Sequence, residues 1–415
     1  MKYIVLIGDG MADNPIEALG GKTPLQAADK PFLDALCADA LLGEVRNVPQ
    51  GLPPGSDTAI LAIFGCDPKR YFKGRSPLEA AGCGVQVQPG EVSYRCNMIT
   101  LSDEEPTFAQ KRILSHNAGA IDGADSDSLI GWLCEQPAFR SQLEHLRLRI
   151  VPTHSFRHIA VQPKPGTACV PSAPPHDHLG EAVGDLPMHG SENADGLRRL
   201  MELANELLTE HPYNAARKHA GLLPCNGIWL WAEGEAGALP SFAARYGHTG
   251  SVISAVPLVH GIARLCGLRA VSVEGATGEV DTNYEGKLEA ARRCLRSEED
   301  FLCLHIEAPD EATHNGRLEE KLLAIRQLDE RVTKPLVEFL RAQEMDFRLL
   351  VLSDHKTLMA TRGHDGDPVP FFLYDSRVQK GSGLPYTEEN GALGQRLAEG
   401  TALLPLLFEE PAGKF

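Results

Sequence analysis

Asp9, Asp310, His314, Asp354, His355 and His364 are the residues whose types and spacing could bind metal, and Ser56 is the one that could carry a transferred group. Asp310 and His314 are four apart, so a helical turn over Ala308 to Thr313 puts both on one face, where they can hold one cation. His364 follows in the Gly-rich loop Arg362-Gly363-His364-Asp365-Gly366, which can fold back over neighbouring strand ends. Mixed carboxylate and imidazole ligands suit Zn²⁺ or Mn²⁺ better than Ca²⁺, which prefers an all-oxygen shell. Two such ions about 4 Å apart stabilise both the attacking and the leaving oxygen of a phosphoryl transfer. Ser56 lies in Leu52-Pro53-Pro54-Gly55-Ser56-Asp57-Thr58-Ala59, where a Pro/Gly turn delivers it to the start of an apolar helix, Thr58 to Phe64. A helix start offers N–H groups to a phosphate, and a nearby cation lowers the hydroxyl pKa, so Ser56 is expected to be phosphorylated transiently.

Each of these residues has a plainer reading when taken alone. Ser at a helix start is commonly an N-cap, Asp in Gly8-Asp9-Gly10 a turn residue, and Asp310 with His314 a solvated helix face. Their order along the chain argues for the joint reading, because the elements that must position them recur. Apolar runs of strand length precede Asp9 (Tyr3 to Ile7), Asp310 (Phe301 to Ile306) and Asp354-His355 (Leu349 to Leu352), and ligands gather where strands of an open α/β sheet end. A further run, Pro370 to Tyr374, and amphipathic stretches such as Leu318 to Leu340 complete a mostly parallel sheet with helices on both faces.

At 415 residues the chain is long enough for two domains. The middle differs in texture from both ends, with Pro and His clustered in Pro171 to His178 and around Pro187-Met188-His189, a helical run from Ala194 to Glu210, and an aromatic strand, Gly227 to Trp231. It reads as a smaller inserted α+β domain. Residues 106–251 are expected to form it, and residues 1–105 and 252–415 the discontinuous sheet domain. Ten cysteines without a Cys-x-x-Cys pair argue for a reducing compartment, and an N-terminus that opens directly into a strand argues for the cytoplasm. No run approaches membrane-spanning length, and a net charge of −16 opposes nucleic acid, so neither a membrane nor a nucleic-acid partner is expected. An acidic chain that handles an acidic substrate needs local Arg and Lys or bound cations to reverse the field. A homo-oligomer is compatible with this composition.

Several ordered segments resemble the archaeal-type cofactor-independent (2,3-bisphosphoglycerate-independent) phosphoglycerate mutases, a branch of the alkaline phosphatase superfamily. They include Gly8-Asp9-Gly10-Met11-Ala12-Asp13, Gly20-Gly21-Lys22-Thr23-Pro24-Leu25, Gly55-Ser56-Asp57-Thr58-Ala59 and Gly74-Arg75-Ser76-Pro77-Leu78-Glu79. Further segments are Asp281-Thr282-Asn283-Tyr284-Glu285-Gly286-Lys287, Glu307-Ala308-Pro309-Asp310-Glu311 and Asp367-Pro368-Val369-Pro370-Phe371. The resemblance covers essentially the whole chain. It implies one cation held by Asp9, Ser56, Asp354 and His355 and another by Asp310, His314 and His364, the pair being manganese or zinc, with magnesium a third choice. It also implies that the inserted domain grips a small phosphorylated acid, and carries the gripping roles to Arg95, Asn97, Arg157, His158, His176, Asp177, Arg217 and Lys287.

The chain departs from the family at Ala118-Gly119-Ala120-Ile121, where a His is expected at the third position, and at Lys356-Thr357-Leu358 after the Asp-His pair. The leading expectation is interconversion of 3- and 2-phosphoglycerate. Phosphorylation of homoserine or another small hydroxy acid, and plain metal-dependent phosphatase activity, use the same site. Gly20-Gly21-Lys22-Thr23 is no Walker loop, because the upstream position holds Ile16.

Overall fold

A computed structural model describes residues 1–165, 173–187, 190–378 and 381–409. Pro171, Met188 and His189, singled out in the sequence, lie outside the described residues. The chain divides into two compact units, Met1–Phe72 with Ala238–Phe415, and Lys73–Gly237. No helix among the described residues is long and apolar enough to cross a membrane.

The first unit is built on an eight-stranded sheet. Its centre is the Lys2–Gly8 strand, flanked by Phe301–Ile306 and Phe347–Leu352, both parallel to it. These three segments are apolar almost throughout and buried, the composition of strands covered on both faces. Burying a single Leu or Ile side chain contributes roughly 1.5–3 kcal/mol, so the centre of the sheet is the firmest support available for a site. Gly250–Ile253 and then Arg269–Val271 continue the parallel pairing on one side. On the other side Val369–Asp375 runs antiparallel, followed by Leu41–Val45 and Gln395–Leu397.

This topology brings the candidate residues to one edge of the sheet. The parallel strands all end on the side where Asp9, Glu307, Asp354 and Ser254 follow them. The reversed strand Val369–Asp375 starts at that side, so the Gly363–Asp365 segment just before it is brought there too. Leu41–Val45 is antiparallel to the reversed strand and so leaves in the common direction, sending its following loop to Ser56 at the same edge.

The second unit has its own five-stranded sheet, in which Glu91–Leu101 pairs antiparallel with Arg157–Pro163 on one side and Gly227–Glu235 on the other. Its core includes Leu129, Phe139, Leu200 and Trp229. The helix expected from Ala194 to Glu210 spans Glu192–Thr209, and the aromatic strand extends to Glu235.

The unit borders differ from the expected 106–251. Glu91–Leu101 belongs to the second sheet because both its edges are taken by strands from residues 157–163 and 227–235, and the Ser76–Gly82 helix packs with it. At the far border, Phe242–Tyr246 belongs with the first unit through Phe242, whose ring packs against Phe301 and Phe408.

Candidate two-metal active site

Ser56 is the first residue of the Ser56–Ile63 helix, and the N-cap is the extended residue Gly55, with no side-chain cap. The Ser56 hydroxyl therefore does not cap its own helix. It lies 3.2 Å from His355 Nε2. That nitrogen is also 3.2 Å from Asp354 Oδ2 and 3.6 Å from Asp9 Oδ1. The other ring nitrogen of His355, Nδ1, faces the Lys356 carbonyl at 3.3 Å and the Thr357 hydroxyl at 3.2 Å. A ring that donates from Nδ1 presents a bare Nε2 lone pair, which here meets two carboxylate oxygens and a hydroxyl.

Asp9 Oδ1 and Asp354 Oδ2 are buried and receive no hydrogen bond. Burial first, and then the carboxylates of Asp354 and Asp310, push the Asp9 carboxyl well above the usual range. A bare nitrogen and carboxylates this close repel one another unless a cation sits among them. Two ligand atoms each roughly 2.0–2.1 Å from a tetrahedral cation lie about 3.3 Å apart, close to the separations found here. The donor set of Asp9, Asp354, His355 and Ser56 fits a divalent transition metal.

The second cluster has the same character. Asp310 and His314 lie on the Ala308–His314 helix, and the ring of His314 meets Asp310 Oδ2 at 3.1 Å and His364 Nε2 at 2.9 Å. His364 Nε2 is 3.5 Å from Asp310 Oδ1. The helix starts where the sequence places it because Pro309 sits in its first turn and ends the Phe301–Ile306 strand pattern. His314 Nδ1 faces the Arg362 carbonyl at 2.7 Å, which fixes the ring and leaves Nε2 turned inward. The hydrogen bond to Asp310 raises the His314 imidazole to about 9 where no cation competes for it. Burial works to raise Asp310, but bonds from His314 and His364 hold it well below the usual carboxylate range. Both clusters offer one ligand atom per residue within 4.8 Å of the others.

Thr357, read in the sequence only as part of a departure, joins the clusters: its hydroxyl donates to Asp310 Oδ1 at 2.6 Å and faces His355 Nδ1 at 3.2 Å. The His355 and His364 rings lie 4.3 Å apart. Lys356 turns to Asn14 Oδ1 at 2.9 Å.

Of the eight gripping residues, several gather in the second unit. Arg95 lies opposite Trp231 and Asn97 opposite Arg157 across neighbouring strands, so these four share one face. The Arg95 guanidinium stacks on the Trp231 ring at 4.1 Å, and the His176 ring meets the same indole at 5.4 Å. His116 lies 5.9 Å from His176, with burial and the charges of Arg157 and Arg95 holding it below its ordinary value. Asp177 is exposed beside His176. Such a group of cations and imidazoles suits a small anion.

Four of the eight are engaged otherwise. Asn97 spends its amide on the His116 carbonyl at 2.9 Å and the Trp231 indole N–H at 3.0 Å, so it braces this face. His158 is fully buried on the opposite face from Arg157, contacts Ser126 Oγ at 3.0 Å, and is pushed by burial down to about 4. Arg217 donates to the carbonyls of Leu223 and Ala118 at 2.7 and 3.0 Å, steadying the loop that departs at Ala120. Ala120 itself is exposed and holds a left-handed φ of 56°. Lys287 lies in the first unit, not the second, and is fully buried against Glu307.

Sequence reasoning missed Glu79, which pairs with Arg95 at 2.9 Å and Arg75 at 2.9 Å. Burial works to raise its carboxyl, but Arg95, Arg75 and Arg157 hold it at about 2. Since the unfolded value is about 4.3, the stabilisation is complete above that pH and is lost as pH falls toward 2. It amounts to something on the order of 3 kcal/mol. Denaturant unfolding from pH 6 down to pH 2 should show a steeper acid loss in the wild type than in Glu79→Gln; equal slopes would remove Glu79 from the acid response.

The model of the 2,3-bisphosphoglycerate-independent phosphoglycerate mutase family matches residues 38–214. A 2,3-bisphosphoglycerate-independent phosphoglycerate mutase of Methanosarcina acetivorans is 40% identical over 413 residues, covering 99% of this chain and 100% of the relative. The chain belongs to this family. A relative from Methanothrix thermoacetophila with the same description is 42% identical over 410 residues, covering 98% of this chain and all of its own length. Among solved structures, the PH0037 protein from Pyrococcus horikoshii superposes with a TM-score of 0.78 at 26% identity, each chain covered completely. The cofactor-independent phosphoglycerate mutase from Thermoplasma acidophilum does so with a TM-score of 0.60 at 26% identity, covering 98% of this chain and 99% of that one. Family and fold therefore agree with the resemblance seen in the sequence.

Proposed function

We propose that the protein interconverts 3-phosphoglycerate and 2-phosphoglycerate through a phosphoserine on Ser56, with two divalent cations held by the two clusters. The observation that carries this reading is the convergence of the Ser56 hydroxyl with His355 Nε2 at 3.2 Å, beside two buried carboxylate oxygens that receive no hydrogen bond. The names of relatives that match along their full length support the substrate. Bound cations would supply charge stabilisation for the phosphoryl oxygens and for the Ser56 alkoxide.

In the first half-reaction Ser56 Oγ attacks phosphorus, the phosphorus–oxygen bond of the substrate breaks, and the departing glycerate oxygen gains the proton that Oγ gave up. Glycerate then reorients while bound. Its other hydroxyl attacks the phosphoserine, the bond from Oγ to phosphorus breaks, and the proton released by that attacking hydroxyl goes to Oγ, so the protein ends unchanged. Arg95, Arg157 and His176, gathered in the second unit, are suited to recognising the anionic groups of glycerate.

Phosphorus NMR of protein loaded with Mn²⁺ and given 3-phosphoglycerate, with no bisphosphoglycerate added, is expected to show 2-phosphoglycerate. Accumulation of inorganic phosphate alone would make the protein a phosphatase. In a parallel sample with homoserine and ATP, O-phosphohomoserine without any mutase product would move the acceptor; either result overturns the proposal.

A further inference from the structure

Behind Asp9 runs a buried chain of polar groups that the mutase chemistry above leaves unused. Asp9 Oδ2 lies 3.1 Å from His305 Nε2, and His305 Nδ1 lies 3.2 Å from Glu307 Oε1. Both ring nitrogens thus face carboxylate oxygens. Glu307 Oε1 also accepts from the Ser254 hydroxyl at 2.9 Å and the Ala255 N–H at 2.6 Å. Glu307 Oε2 takes the Lys287 ammonium, which donates as well to the His305 carbonyl at 3.0 Å. His305 and Lys287 are fully buried and Glu307 is 2% exposed.

A chain this deep costs several kcal/mol in desolvated charge unless every member is paired, and replacing it by apolar side chains would often be neutral or stabilising. Fold stability alone is therefore a weak reason for it. Its direction suggests another reason: one end, His305 Nε2, meets the outer oxygen of Asp9 in a 3.1 Å charge contact and not a hydrogen bond, while the inner oxygen, Oδ1, faces His355 Nε2 and receives no hydrogen bond. Groups that hold the far atom of a metal-binding side chain set its orientation, and their loss typically weakens metal affinity 10–100-fold.

We propose that His305 is a positioning residue for Asp9, braced by Glu307 and Lys287, and that Lys287 serves this chain and does not contact the substrate. The inference rests on reading the Asp9, Asp354, His355 and Ser56 cluster as a cation site. Its consequence is that cation affinity at that cluster depends on residues that are not themselves ligands, while the Asp310, His314 and His364 cluster is indifferent to them.

The test is Zn²⁺ binding to the full chain by competition with a chromophoric chelator, made also in a His314→Ala background that cripples the other cluster. His305→Met keeps the volume and removes the ring nitrogens that face both carboxylates. It is expected to weaken one of two binding events 10–100-fold, the one that survives in the His314→Ala background, and His305→Gln should restore most of it. The paired substitution Lys287→Met with Glu307→Gln removes both charges together and should weaken the same event by a smaller factor. That pair also serves if His305→Met does not fold. Wild-type affinity in a folded His305→Met protein, or equal weakening of both events, would overturn the inference. So would a paired variant that raises KM for 3-phosphoglycerate with metal affinity unchanged, because that is the mark of a substrate contact. A wild-type chain that binds no Zn²⁺ would instead defeat the two-cation reading itself.

Discussion

Ser56→Ala is expected to abolish phosphoryl transfer while leaving the protein folded. Removing the nucleophile of a covalent enzyme costs about 10⁶ in kcat in the best-measured case, so a loss of at least about 10⁴ is expected here. Two readings of Ser56 predict different results. An N-cap would cost about 1 kcal/mol of stability on conversion to Ala and little activity. Gly55 occupies the N-cap and the Ser56 hydroxyl faces His355 Nε2, so the loss should fall on turnover and leave the melting temperature nearly unchanged. The variant should still bind a cation at Asp310, His314 and His364, because Ser56 is no part of that cluster. Turnover within tenfold of wild type would take Ser56 out of the mechanism.

Removal of metal should have the second largest effect, and it should be reversible. Dialysis against a chelator is expected to bring activity to the detection limit, and Mn²⁺ or Zn²⁺ should restore it. Stability should fall as well. A ligand at 100 times its dissociation constant stabilises the folded state by about 2.7 kcal/mol, and two sites are involved. The metal-free form also keeps the Asp354 and Asp310 carboxylates close to Asp9, where His305 and His314 offset only part of the charge, and that repulsion is part of what raises Asp9. Asp354→Asn removes one of those charges. Melting curves should therefore show the variant more stable than wild type in chelator and less stable in Mn²⁺. A variant that is less stable in both conditions would mean that Asp354 acts as a structural carboxylate.

The first unit's candidate site was legible in the sequence because several of its candidate ligands stand directly after buried strands, where a polar residue breaks an apolar run. Asp9, Asp354 and His355 follow that pattern, and the structure brings them together with Ser56. His305 and Glu307 obey a related rule and went unread. They lie on either side of Ile306 at the end of a strand, and alternate residues there share a face. The same alternation separates Arg157 from His158, which similarity to a motif had grouped together. Motif similarity also could not separate a buried ion pair from a substrate contact at Lys287, because both need a lysine at a fixed place. The unit border was missed for another reason: an apolar strand such as Glu91–Leu101 carries no mark of which sheet it will join.

The discontinuous first unit also affects how the chain is made. The Lys2–Gly8 strand leaves the ribosome early, yet its two partners are residues 301–306 and 347–352. At roughly 5–20 residues per second, the centre of the sheet waits some tens of seconds for its neighbours. Residues 73–237 form a compact unit with its own sheet and core, so they can fold during that interval. Four apolar residues, Ile4 to Ile7, meanwhile have no sheet to join, so this stretch stays exposed until its partner strands have been made.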